Sequence, residues 1–231
     1  MRAEKLTPQS YRAVRRWFRK QVVTRPAVYY TLIKLFRPAS KNLAVHRGTQ
    51  IVMDGYGGSG NTFLELAFRS AQTGPIEMAH HLHAPAQIIR GVEWNIPTIV
   101  LLREPQDAIS SGISRRLVAY DDDAIRESLD NYILFYRTVM PYKNDVVVAP
   151  FREAMKDFGV FVRQLNEKFG CNFVPFDHTE ENVRKIQAGQ EQAKPNSARP
   201  LDKKDVKDRL MSDIHAERLA EAKQLFEAFH P

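Results

Sequence analysis

Short apolar runs alternate along this chain with longer segments whose apolar positions recur every three to four residues. Residues 50–54 form one such run and end in Gly55-Tyr56-Gly57-Gly58. Residues 96–102 and 145–149 are nearly continuous apolar runs, the pattern of strands buried on both faces of a parallel sheet. Residues 77–83 are a further strand candidate. Between the runs, residues 61–71 carry an apolar stripe of Phe63, Leu64, Leu66, Ala67 and Phe68, which predicts a helix. Residues 84–94 read as a helix with Pro85 in its first turn, where the missing N–H costs nothing. Further helices are expected over 105–117, from Asp121-Asp122-Asp123 to about Met140, over 154–169 closed by Gly170, and over 180–192. Residues 194–200 read as a loop before two terminal helices at about 202–211 and 215–229. Strand–helix alternation of this kind predicts an α/β fold: a three-layer, doubly wound parallel sheet flanked by helices.

The 231 residues suit a single α/β domain, and 43% hydrophobic residues suffice for a real core. Charge divides the chain. Residues 1–50 hold twelve Lys or Arg against Glu4 alone, a net +11, while the whole chain is +7, so residues 51–231 carry −4. The expected organisation is a basic helical arm over 1–49 and an α/β body over 50–231. Within the arm, residues 10–21 place Tyr11, Val14, Trp17 and Phe18 near one helix face, and residues 28–36 form a second amphipathic piece. Three readings stay open for it: attachment to an anionic membrane surface through residues 10–38, an organelle transit peptide, or a solvated helical cap. No apolar run approaches the ~20 residues of a membrane span, and no apolar stretch follows a basic start as in a secretory signal. A cytoplasmic location is expected, with peripheral membrane attachment as its variant. No nucleic-acid-binding module is recognisable. The single cysteine, Cys171, excludes an intrachain disulfide and a cysteine metal cage, and reads as a small packing residue.

Gly55-Tyr56-Gly57-Gly58-Ser59-Gly60-Asn61-Thr62 lies between a predicted strand and a predicted helix. Its frame is that of a Walker A loop with Asn61 where the lysine belongs. Glycines let successive backbone N–H groups face one anion, and the helix start adds its positive dipole end. An ordinary glycine-rich turn is the alternative. Without the lysine, the β- and γ-phosphates of ATP or GTP lose a partner; sulfuryl transfer moves a group of lower charge and demands less. After the run at 96–102 comes Arg103-Glu104-Pro105-Gln106-Asp107, with Ser110 and Ser111 following. An arginine at the carboxyl end of a parallel strand faces the ligand crevice and grips phosphate in bidentate fashion. An Arg–Asp pair with an incidental serine is the alternative. Arg115 and Arg116 add charge toward an anionic acceptor or simply form a solvated face. His80-His81-Leu82-His83 admits three readings: a metal site, for which the sequence offers no obvious carboxylate partner nearby, structural histidines, or a general base of near-neutral pKa.

These segments resemble the sulfotransferase family. Ser59-Gly60-Asn61-Thr62-Phe63 is similar to its 5′-phosphosulfate loop, Arg103-x-Pro105-x-Asp107 with Ser111 to its 3′-phosphate motif, and His83-Ala84-Pro85 to the segment bearing its catalytic histidine. The resemblance implies a sulfuryl donor, 3′-phosphoadenosine 5′-phosphosulfate (PAPS), and no metal. It implies that backbone N–H groups of Ser59, Gly60, Asn61 and Thr62 hold the phosphosulfate, that the Thr62 hydroxyl adds a bond, and that Phe63 lies near adenine. It implies Arg103 and Ser111 on the 3′-phosphate, Arg199 as a late-loop candidate there, and His83 as the base that deprotonates an acceptor hydroxyl on a glycan or glycolipid. Gly58 and His81 stand where the family carries basic residues, and Phe151 where it carries tyrosine. A metal-dependent phosphotransferase and a non-catalytic binder of PAP or sulfated ligands are the other readings.

Overall fold

Strands β1 (Ile51–Gly55) and β3 (Thr98–Leu102) are buried at every position. Strands of that kind belong at the centre of a sheet covered on both faces. In the computed structural model they pair with each other, Met53 opposite Ile99 and Gly55 opposite Leu101. Strands β2 (Met78–His80) and β4 (Val147–Pro150) flank them, and the parallel sheet runs β2-β1-β3-β4. The structure describes residues 20–36, 38–115, 120–192 and 202–231.

The α-helices bounded among the described residues are α1 (Pro26–Phe36), α2 (Asn61–Ala71), α3 (Pro85–Glu93), α4 (Pro105–Ser114), α5 (Asp122–Val139), a single turn α6 (Phe151–Ala154), α7 (Phe158–Phe169), α8 (Glu180–Gln192), α9 (Lys203–Leu210) and α10 (Ala216–Phe229). Alternating strand residues feed two cores. Val52, Val100 and Val148 pack with Ile88, Ile109, Leu129, Tyr132 and Phe229 on one face. Met53, Ile99 and Leu101 pack with Leu64, Phe68, Phe158 and Val162 on the other. A third cluster joins Val22, Tyr29 and Ile33 to Ala84 and Ala86, so the described part of the basic arm lies against α3.

The chain leaves β1 toward β2 on one side and crosses back to β3 on the other. That reversal opens a crevice above the carboxyl ends of β1 and β3, where ligands of open α/β sheets bind. Tyrosines of α5 brace its floor: the Tyr136 hydroxyl donates to the Leu101 carbonyl at 2.7 Å and the Tyr132 hydroxyl to the Arg103 carbonyl at 2.7 Å. Burial pushes the pKa of both phenols up, so they stay neutral donors.

Three expected elements differ. The strand expected over 77–83 stops at His80, because His81 and His83 adopt positive φ of 56° and 51°. The helix expected over 154–169 is broken, with Asp157 extended at the start of α7 (φ −153°). Here Gly159 packs so closely that an added Cβ would lie 2.7 Å from the Phe176 carbonyl. Helix α4 ends at Ser114, short of the expected 117. Residues 1–19, most of the expected first arm helix, lie outside the described residues, as do Arg116 and Arg199.

Candidate functional site

The glycine loop turns from β1 into α2. Gly58 has φ 95°, and a Cβ there would lie 2.2 Å from the Ala108 carbonyl oxygen; Gly60 has φ 94°, and its Cβ would lie 2.7 Å from the Phe151 ring. Only glycine fits either position without rearrangement. The Ser59 N–H donates to the Tyr56 carbonyl at 3.1 Å, and its hydroxyl is buried 3.5 Å from that of Tyr136. Asn61 Nδ2 donates back to the same Tyr56 carbonyl at 3.2 Å. The first intrahelical bond of α2 runs from the Leu64 N–H to the Gly60 carbonyl at 3.1 Å. Gly60 at the N-cap offers no side chain, so the N–H groups of Asn61, Thr62 and Phe63 lack intrahelical acceptors. This shifts the expected donor set downstream: Ser59 spends its N–H inside the loop, and Phe63 joins through its backbone. The Phe63 ring is buried in the core, 6.2 Å from that of His178, and is not presented to a base as expected.

Arg103 leaves the end of β3. Its Nη1 donates to the Gly58 carbonyl at 2.7 Å, its guanidinium lies 4.0 Å from the Phe151 ring centroid, and its Nε is buried without a partner. The aromatic beside the loop is therefore Phe151, and a cavity of about 130 Å³ opens between it, Arg103 and Asp107. Ser111 Oγ accepts from Arg115 Nη2 at 3.4 Å, whereas the Ser110 hydroxyl turns back toward the Asp107 carbonyl. Asp107 does not brace Arg103 but pairs with Lys207 Nζ at 2.9 Å. Burial lowers the pKa of Lys203, and the nearby charges of Arg103, Lys207 and Arg115 add to this against Asp107. Helix α9 thus brings Lys203 and Lys207 to the Arg103–Arg115 cluster. No motif marked these lysines in the sequence; a basic helix packed on α4 is visible only once folded.

Asp54 organises the other side of the loop. This wholly buried acid near the end of β1 accepts at Oδ1 from the Gly55 N–H at 2.9 Å, and at Oδ2 from the N–H groups of Leu82 and His83, both at 3.0 Å, and from Gln87 Nε2 at 3.1 Å. His83 Nδ1 lies 3.1 Å from Asp54 Oδ1 and 2.9 Å from the Gly55 carbonyl. Two acceptors at one nitrogen place the ring hydrogen on Nδ1, leaving Nε2 with its lone pair. Burial pulls the His83 pKa down, but Asp54 and the Gly55 carbonyl more than offset it, and the net shift is upward. His83 lines a cavity of about 240 Å³ together with Gly57, Gly58, Ile113, Arg115 and Asn131. Tyr30 Oη reaches Gln87 Oε1 at 3.3 Å, which ties α1 of the arm to the Asp54 network. In the sequence Asp54 reads only as the end of a short apolar strand. Its signal was there: a charge inside a buried apolar strand is costly unless several donors meet it.

A second histidine cluster lies beside this one. Glu65, His80 and His81 bring ligand atoms within 4.8 Å of one another, and the carboxylate partner that the sequence did not make obvious comes from α2. Arg69 already holds that carboxylate, Nε to Oε1 at 2.6 Å, and reaches His80 Nε2 at 3.4 Å. A metal ion would have to displace this guanidinium. No protein-family model, curated protein or solved structure matches the chain.

Proposed function

We propose that the protein transfers a sulfuryl group from PAPS to an acceptor hydroxyl on a P-loop-like, sulfotransferase-type site. One observation carries this reading: an Asp-oriented histidine with a free Nε2 and a glycine-rich anion loop line the same cavity. In the proposed reaction His83 Nε2 takes the proton of the acceptor hydroxyl while that oxygen bonds to sulfur. The bond between sulfur and the 5′-phosphate oxygen breaks, and PAP leaves with the electron pair. Asn61, Thr62 and Phe63 meet the charge on the leaving phosphate with preorganised backbone N–H groups, the largest kind of catalytic contribution. The buried Asp54 stabilises the imidazolium that forms. Arg103 would grip the 3′-phosphate, and Ser111 and Lys203 would complete that subsite. Arg115, on the same cavity wall as Gly58, supplies the positive charge that a side chain at position 58 cannot.

The acceptor class proposed is a glycan or glycolipid hydroxyl. A cavity of about 240 Å³ is smaller than the usual range for drug-sized ligands and suits one ring-sized group. Among the described residues no helix is long and apolar enough to cross a membrane. The exposed Leu35 and Phe36 beside Lys34 at the end of α1 support peripheral attachment to an anionic surface. One observation favours a second reading, a non-catalytic PAP binder: position 58 admits no cation. Tight PAP binding without transfer to any acceptor selects it.

Arg103→Ala is expected to weaken PAP binding by ~1.5–3 kcal/mol, roughly ten- to 150-fold, as for a lost charge-assisted bond. Calorimetric titration of the variant checks this, and unchanged affinity removes the 3′-phosphate subsite.

A further inference from the structure

Polar contacts run without a break from Arg69 to the anion loop. Arg69 Nη2 lies 3.4 Å from His80 Nε2, His80 Nδ1 lies 2.6 Å from His81 Nδ1, and His81 Nε2 lies 3.2 Å from Thr62 Oγ1. We propose that this chain has one fixed direction, from Arg69 to Thr62, and that it makes the Thr62 hydroxyl a hydrogen-bond donor to the bound anion. Arg69, His80 and His81 are then positioning residues for the loop. The role toward the anion rests on the proposed function; the direction of the chain does not.

The direction follows from the first link. A guanidinium has five N–H donors and no acceptor. Arg69 is held by Glu65 Oε1 at 2.6 Å and by the Ile76 carbonyl, 2.9 Å from Nη1, so it cannot turn away. His80 Nε2 must therefore be the bare, accepting nitrogen. The other candidate partner, Glu65 Oε1, is 3.9 Å from it, beyond hydrogen-bond reach. A neutral His80 carries its hydrogen on Nδ1 and donates to His81 Nδ1. His81 in turn carries its hydrogen on Nε2 and donates to Thr62 Oγ1. Thr62 accepts that bond, and its own hydrogen is free for a ligand. Thr62 is the second residue of α2, among the N–H groups that have no intrahelical acceptor.

The reversed chain would set an N–H of His80 against the N–H of Arg69. Two charged rings would set two hydrogens between nitrogens 2.6 Å apart. The surroundings agree with neutral rings. Burial lowers the pKa of both; Arg69 and His83 add to this at His80, and His80 and His83 at His81, against the opposing pull of Glu65 and Asp54. His81 stands where the resemblance expects a lysine, and here it acts through the Thr62 hydroxyl in place of a fixed charge.

The test begins with the ligand-free protein. Long-range ¹H–¹⁵N correlation on histidine-labelled wild type at pH 8 reports which ring nitrogen carries the hydrogen. Hydrogen on Nδ1 of His80 and on Nε2 of His81 is expected; the opposite tautomer on either ring, or a charged ring, overturns the proposal. The second arm is a double-mutant cycle read by PAP titration. Thr62→Val and His81→Ala should each weaken PAP roughly two- to tenfold, the range of one hydrogen bond. The double variant should bind no more weakly than Thr62→Val alone, because His81 acts only through Thr62. Additive losses would show that His81 serves the fold independently and overturn the positioning role. If wild type binds no PAP, the sulfotransferase reading fails and with it the donor role, while the tautomers still decide the direction of the chain.

Discussion

His83→Ala is expected to keep PAP binding close to that of wild type and to lower kcat by roughly 10²–10⁴-fold, the range of a lost general base. The separation of the two effects comes from the site's geometry. His83 lines the cavity of about 240 Å³, whereas Arg103 and Phe151 face a different cavity across the loop. Wild-type kcat/KM should also fall as pH drops through the His83 pKa, because a protonated imidazole cannot accept the hydroxyl proton. That limb should lie above the pH of an ordinary histidine, since Asp54 and the Gly55 carbonyl outweigh the effect of burial. A transfer assay with labelled PAPS across pH measures both quantities. Full turnover in the alanine variant would mean that the base lies elsewhere.

The second large effect is on the fold. Asp54→Asn should destabilise the protein by ~2–4 kcal/mol, because a buried amide cannot satisfy donors that need two acceptor oxygens. Asp54 Oδ1 faces the Gly55 N–H and His83 Nδ1, and Oδ2 faces the Leu82 and His83 N–H groups and Gln87. Whichever way the asparagine turns, its NH₂ points at two or three N–H groups in a site without solvent access. Those N–H groups also hold residues 82 and 83 against β1, so the loop from β2 to α3 loosens with them. Chemical denaturation of wild type and variant gives the difference. A change within about 0.5 kcal/mol, the scatter of ordinary surface substitutions, would show that Asp54 is not the structural hub described.

Features carried by local chemistry were legible before folding. The buried strands β1 and β3 lay in short, mostly apolar runs, the acids at 121–123 began α5, with Asp121 accepting from the Ala124 N–H at 2.8 Å, and Gly170 closes α7 in the left-handed conformation. Gly58 and Gly60 were marked by composition, and Arg103 by its place after a strand. Features set by tertiary contact were not legible. Nothing local distinguishes Phe63, drawn into the core, from Phe151, left beside the loop. Lys203 and Lys207 reach Asp107 and Arg103 only because α9 packs on α4. Strand β2 ends early because the Asp54 carboxylate captures the N–H groups of Leu82 and His83, a contact across 28 and 29 positions.

The measurement that bears most directly on the central claim is calorimetric titration of the purified protein with PAP and with ADP, each with and without Mg²⁺. Tight binding that prefers PAP and does not depend on the metal is the predicted result. Preference for ADP with Mg²⁺ would contradict it in favour of phosphoryl transfer, and binding of neither would remove the nucleotide site altogether.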